Sequence, residues 1–191
     1  GLDKNKKIIS LLPGSRRQEI IKKLPIMLES LSSYNNDINI VIAGINNFKA
    51  LYQQLITNYN VTIIYDNTYN ILNNSKIALV TSGTATLETA FFKVPQVVCY
   101  KTSWISYLIA KFFIRVKYIS LVNIILNKKC VKELIQNDLN SLKLSKELDE
   151  LKKANNIKSI KNDYLKLHEK CSGMNVSKNI ANSMLKTIKT F

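Results

Sequence analysis

The stretch IISLLPGSRRQEI, Ile8 to Ile20, sets a short apolar block against a proline, a glycine, a serine and two arginines before a helical pattern begins. An apolar strand that ends this way and opens a helix presents free backbone N–H groups at the positive end of a helix dipole, which suits an anion. Pro13 and Gly14 let the chain turn sharply. Ser15 can cap the helix or donate its hydroxyl to a phosphate, and Arg16 carries a forked, permanent charge that matches phosphate oxygens. On these residues alone an ordinary cap beside a solvated arginine is an equal explanation. The stretch is neither a Walker loop, since no Gly-Lys-Ser/Thr follows, nor a G-x-G-x-x-G turn.

Working outward, similar apolar blocks rich in β-branched residues recur at Ile38 to Ala43, Val61 to Tyr65, Ile77 to Val80 and Gln96 to Tyr100. Between them apolar residues fall at helical spacing, as in Ile20, Leu24, Met27, Leu28 and Leu31, and in Phe48, Leu51, Tyr52, Leu55 and Ile56. Strands that alternate with helices build βαβ units, and strand blocks without polar alternation are buried on both faces of a parallel sheet. The expected fold is therefore α/β: a Rossmann-like, doubly wound parallel sheet whose ligands sit at the carboxyl ends of the strands. Residues 1–140 are assigned to that domain and 141–191 to a Lys/Leu-rich helical segment. Gly173 and the CSGMN run, Cys171 to Asn175, break its last helix.

The 191 residues carry 28 Lys+Arg against 13 Asp+Glu, a net charge of +15. Such a balance suits nucleic acid, an anionic membrane surface or a phosphorylated substrate. The basic residues are scattered, however, and the abundance of Lys, Asn, Ile and Tyr is what an AT-rich genome produces. Cys99, Cys130 and Cys171 are far apart with only His168 as a partner, so neither a metal site, a cofactor nor a disulfide is expected, and reduced thiols point to the cytoplasm. His168, in YLKLHEK, falls at a solvent-facing helix position with no acidic triad and reads as a surface residue. No apolar run reaches the roughly 20 residues of a membrane span.

A second junction, ALVTSGTATLETAF, runs from an apolar strand into Thr81, Ser82, Gly83 and Thr84, with Glu88 in the first turns of the following helix. Small residues at a strand's carboxyl end bring backbone amides close to a ligand, and Glu88 can accept hydrogen bonds from a pair of hydroxyls. A carboxylate near a helix N-terminus is also favoured by the dipole alone. Two such loops in one sheet can converge on a diphosphate and a ribose.

The segments LLPGSRRQEI, SGTATLE, YISLVN and VKELIQND, in this order and at these separations, resemble the C-terminal half of bacterial lipid-A-disaccharide synthases, inverting glycosyltransferases of GT-B architecture. The similarity covers Ile8 to about Leu139. It implies a domain that binds UDP-2,3-diacylglucosamine and, with an N-terminal acceptor domain that this chain lacks, transfers the sugar to 2,3-diacylglucosamine 1-phosphate with release of UDP. By matching position Gly14, Ser15, Arg16, Ser82, Gly83 and Thr84 would flank the diphosphate and Glu88 would hold the ribose. Arg16 is the expected stabiliser of the leaving group, without a metal. Asn123, Lys128 and Gln136 are the remaining candidates for substrate contact. Val122 stands where the family usually has proline, and Lys128 where arginine is common, which removes a bidentate fork. With the start at Gly1, the expectation is a fragment inactive alone, its tail after about Ser172 packing on the absent domain or on a second copy.

The apolar segment SWISYLIAKFFIRV adds one more expectation. On a helical projection Ile105, Ile109 and Phe112 share one side, whereas Trp104, Tyr107, Lys111 and Arg115 share another. Aromatic rings beside long cations suit a membrane interface, where amines snorkel to phosphate headgroups, so a peripheral place on the inner face of the cytoplasmic membrane is expected. A subunit or interdomain contact accounts for the same pattern. Two functional alternatives stand beside the transferase: a UDP-sugar epimerase of the same architecture, and a basic nucleic-acid-binding module, for which no reading motif is present and no nucleic acid is expected.

Overall fold

A computed structural model describes residues 2, 3, 5–34, 38–102 and 117–172. Strand β1 (Lys7–Leu12) feeds helix α1 (Arg17–Glu29), β2 (Ile38–Gly44) feeds α2 (Lys49–Ile56), and β3 (Thr62–Tyr65) feeds α3 (Thr68–Asn74). Then come β4 (Ser75–Thr81), α4 (Thr84–Phe91), β5 (Gln96–Tyr100), α5 (Leu121–Leu126), β6 (Lys132–Ile135), α6 (Ser141–Leu151) and α7 (Ala154–Cys171). All five pairings are parallel, and the sheet order is β3-β2-β1-β4-β5-β6. This is the doubly wound order, with its switch point between β1 and β4.

The side-chain period of two explains why the strands read as unbroken apolar runs. Ile9, Leu11, Ile40, Ile42, Ile77 and Leu79 enter the core on one face, while Leu12, Val41, Ala43, Ala78 and Val80 enter a second core on the other. Helix α1 covers the first face with Ile20, Leu24, Met27 and Leu28, each fully buried and each contributing on the order of 2 kcal/mol. Helix α3 covers part of the second with Ile71 and Leu72.

The helical segment expected from residue 141 shares the first core through residue 171. Leu144, Leu148, Leu151, Ile160, Tyr164 and Leu167 belong to the same cluster as the sheet. A polar tie fixes α7: the buried Gln96 amide donates to the Thr86 carbonyl and to the Tyr164 hydroxyl, both at 3.0 Å. The one strand that the apolar pattern does not announce is β6. It is a short edge strand whose Lys132 pairs with Glu147 at 2.6 Å, and charges at an edge discourage further pairing.

Candidate functional site

At the carboxyl ends of β1 and β4 lies a cavity of about 480 Å³. Its lining contains Gly14, Ser15, Arg16, Ser82, Gly83, Thr84 and Glu88, so the two junctions singled out in the sequence meet in one place. A larger cavity, about 610 Å³, opens at the amino ends of the strands between Lys6, Asn39, Asn70 and Lys76. Loops at the carboxyl ends carry the ligand chemistry of this fold, so the smaller cavity is the candidate site.

The first junction is closed from within. Glu19 folds back so that its Oε2 accepts from the backbone N–H of Ser15 at 3.0 Å and of Arg16 at 3.3 Å. Gly14 has φ +117°, and a Cβ there would stand 2.3 Å from that same oxygen. Glycine is required by both strain and space. The amides expected to meet a phosphate are thus satisfied by a carboxylate of the same chain, and what this junction offers a ligand is the exposed Arg16 guanidinium.

The second junction is open. Gly83 starts α4 with φ +142° and no side chain to cap it, and no atom lies within 4 Å of where its Cβ would be. Free N–H groups of the first turn therefore face the cavity. The Ser82 hydroxyl donates to the Ile119 carbonyl at 3.1 Å and the Thr86 hydroxyl to the Gly83 carbonyl at 2.8 Å. Side chains hold this loop while its backbone stays available.

Three carboxylates share the lining with Arg16: Glu19, Asp66 and Glu88. Asp66 follows β3 with φ +50°; its backbone N–H donates to the Gly44 carbonyl at 3.1 Å, and its carboxylate accepts from the Asn46 amide. Glu19 and Asp66, with Thr68 and the Ala43–Ile45 turn, are the lining residues that sequence reasoning missed. For Glu19 the signal was present, since a glutamate three residues past the N-cap is the capping-box position. The cavity joins amides and a guanidinium to acceptors for hydroxyls, which fits a ligand with phosphate at one end and a polyol at the other. Among the described residues no group of three His, Cys, Asp or Glu side chains is placed to hold a metal.

The other candidates for substrate contact take different places. Asn123 is fully buried, and its amide is completely engaged. Its nitrogen donates to the Val131 carbonyl and to Glu133, and its oxygen accepts from the backbone N–H of Cys130 and Val131, all within 2.9 Å. It is a staple between α5 and β6 rather than a substrate ligand. Lys128 precedes β6, toward the amino ends of the strands, and pairs with Asp163 of α7 at 2.7 Å; this end of the sheet is opposite the cavity. Gln136 sits at the carboxyl end of β6 with φ +51°, buried, and its Oε1 accepts from the Thr102 N–H at 2.9 Å. It positions the chain leaving β5. His168 is exposed on α7 and contacts Ser172 and the edge of Phe91. Cys99 and Cys130 are buried, which pushes both thiols up to about 12. Trp104, Tyr107, Lys111 and Arg115, with the opposite face of Ile105, Ile109 and Phe112, lie outside the described residues, as does the tail after Ser172.

Comparison with known proteins places this geometry. The spinosyn rhamnosyltransferase SpnG superposes with a TM-score of 0.61 at 12% identity, over 94% of this chain and 45% of that one. The UDP-GlcNAc 2-epimerase of Neisseria meningitidis, solved with UDP-GlcNAc, gives 0.57 at 19% identity, over 97% and 45%. At these identities both establish the fold, one half of a GT-B enzyme, and no more. Sequence separates the two classes. Lipid-A-disaccharide synthase 1 of Legionella pneumophila is 36% identical over 181 residues, 90% of this chain and 47% of that protein. The chain spans about half the length of the curated relatives it matches. With residues 1–187 matched by the lipid-A-disaccharide synthetase family, this GT-B half belongs to that family.

Proposed function

We propose that the chain is the donor-binding half of a lipid-A-disaccharide synthase, a glycosyltransferase that moves 2,3-diacylglucosamine from UDP to 2,3-diacylglucosamine 1-phosphate. The observation that carries this reading is the meeting of Arg16, the open α4 N-terminus and Glu88 in a single cavity. The Gly83–Thr84 amides and Arg16 take the diphosphate, and Glu88 accepts from the ribose hydroxyls. As the glycosidic bond breaks, UDP gathers negative charge. Fixed amides and a guanidinium aimed at that charge lower the barrier without reorganising.

The general base and the contacts to the acceptor's attacking hydroxyl and acyl chains belong to the half that this chain does not span, so the chain alone binds without turning over. Among the described residues no helix is long and apolar enough to cross a membrane. Acyl-chain substrates are collected from a bilayer surface, and Trp104, Tyr107, Lys111 and Arg115 are the proposed contact on its cytoplasmic side.

Titration of the chain with UDP, UDP-GlcNAc and a short RNA tests the reading. UDP should bind, weakened about tenfold or more by Arg16→Ala and by Glu88→Ala, in line with loss of a charge-assisted hydrogen bond. RNA binding with no response to UDP would overturn it. Joined to the N-terminal half, the chain should restore transfer to the lipid acceptor.

A further inference from the structure

Behind Arg16, on the α1 side of the sheet, lies a second cavity of about 400 Å³. It shares Arg16, Glu19, Thr81 and Ser82 with the first, and these form the wall between the two. Five cations line it: Arg16, Arg17, Lys22, Lys23 and Lys101. The single carboxylate in the lining is Glu19, whose oxygen is already engaged by the Ser15 and Arg16 amides.

Two polar groups in this lining lack partners among the described residues of the chain. Lys23 is 2% exposed, yet among the described residues its ammonium makes neither an ion pair nor a hydrogen bond. Burial lowers its proton affinity, against a weaker pull from Glu19 in the other direction. A lysine is rarely taken out of water without a counter-charge. The Thr81 hydroxyl, at the end of β4, is likewise buried with no partner. An ammonium, a hydroxyl and the guanidinium fork of Arg16 line a space large enough for a sugar ring as well as its anion.

We propose that this cavity is a second phosphate site and that it holds the phosphate monoester of the sugar 1-phosphate acceptor while the first cavity holds the donor's diphosphate. The assignment to the acceptor rests on the donor-site reading above; the assignment as a phosphate site rests on Lys23 and Thr81. Arg16, in the shared wall, faces both anions and draws the two substrates together across the β1–β4 switch point.

The test is calorimetric titration of glucosamine 1-phosphate into the chain saturated with UDP. One equivalent should bind, weakened about tenfold or more by Lys23→Met with UDP affinity moved less than about twofold, and weakened about fivefold by Thr81→Val. Competition with UDP, or no response to Lys23→Met, overturns the site. Inorganic phosphate provides a second arm: equal or tighter binding than the sugar phosphate overturns the acceptor assignment. Failure of UDP to bind, with phosphate binding still dependent on Lys23, overturns the donor reading and upholds the second site. Because the ammonium is desolvated without a counter-ion, Lys23→Met should raise the thermal midpoint. A fall would mark Lys23 as a structural partner and overturn the proposal. Lys101→Gln, at the cavity mouth, should weaken the sugar phosphate about threefold with the midpoint unchanged, a control in which folding is not at stake.

Discussion

The two strand-to-helix junctions of this molecule begin alike and finish differently. After β1 the chain turns through Gly14 and Ser15, and after β4 through Ser82 and Gly83, each glycine with positive φ at the carboxyl end of a central strand. Yet Glu19 closes the first by taking up its amides, whereas the second leaves the first turn of α4 uncapped. The same composition therefore serves two ends: one junction is rigid and lends a side chain to the site, and the other lends its backbone. A small-residue loop at a strand end identifies where a ligand sits, but the neighbouring carboxylate decides whether the amides are free.

Substitutions at the glycines break the comparison most sharply. Gly14→Ala must displace the Glu19 carboxylate, 2.3 Å from the new Cβ, besides straining φ. It should cost about 3 kcal/mol in urea unfolding, at the upper end of backbone-strain costs. Gly83→Ala meets open space, so only the strain acts. Its stability cost should be smaller, about 2 kcal/mol, while UDP affinity falls about tenfold, because the amides that move are those the ligand uses. Equal losses of stability and of binding at both positions would show that the junctions are not different in kind. Glu19→Ala sharpens the contrast with the smallest effect. Loss of the cap should cost about 1 kcal/mol, and the freed amides should bind inorganic phosphate severalfold more tightly in the same titration. Unchanged phosphate affinity would mean that the β1 junction has no latent anion site.

Much of the sheet is legible in the sequence, because the four inner strands are buried on both faces as apolar runs, and β3, though half-buried at an edge, carries a β-branched run of its own. β6 is not, since an edge strand with Lys132 and Glu133 has no such run to show. At the site, Arg16, the Ser82–Thr84 loop and Glu88 are marked by residue type at a junction. Asn123 and Gln136 are marked as well, and in the structure both hold backbone: an amide that satisfies backbone and one that meets a substrate look the same in sequence, and only burial and partners tell them apart. Lys23 carries no such mark. Within α1 it sits in an ordinary amphipathic pattern, and its burial without a partner is a property of the fold.

Thr102 and Ile119 stand well apart in sequence, yet both are moored to the same short strand. Thr102 is held by Gln136, immediately after β6, and the Ile119 and Ser120 N–H groups by Glu133 within it, while the Ile119 carbonyl receives the Ser82 hydroxyl. In mechanical terms this corner is a coupling: β6 and the open phosphate loop are joined through one residue, Ile119, which is gripped at its N–H by Glu133 and at its carbonyl by Ser82. A shift of Ile119 therefore reaches the α4 amides through its carbonyl, and a change in β6 is felt at the site although no β6 residue lines it.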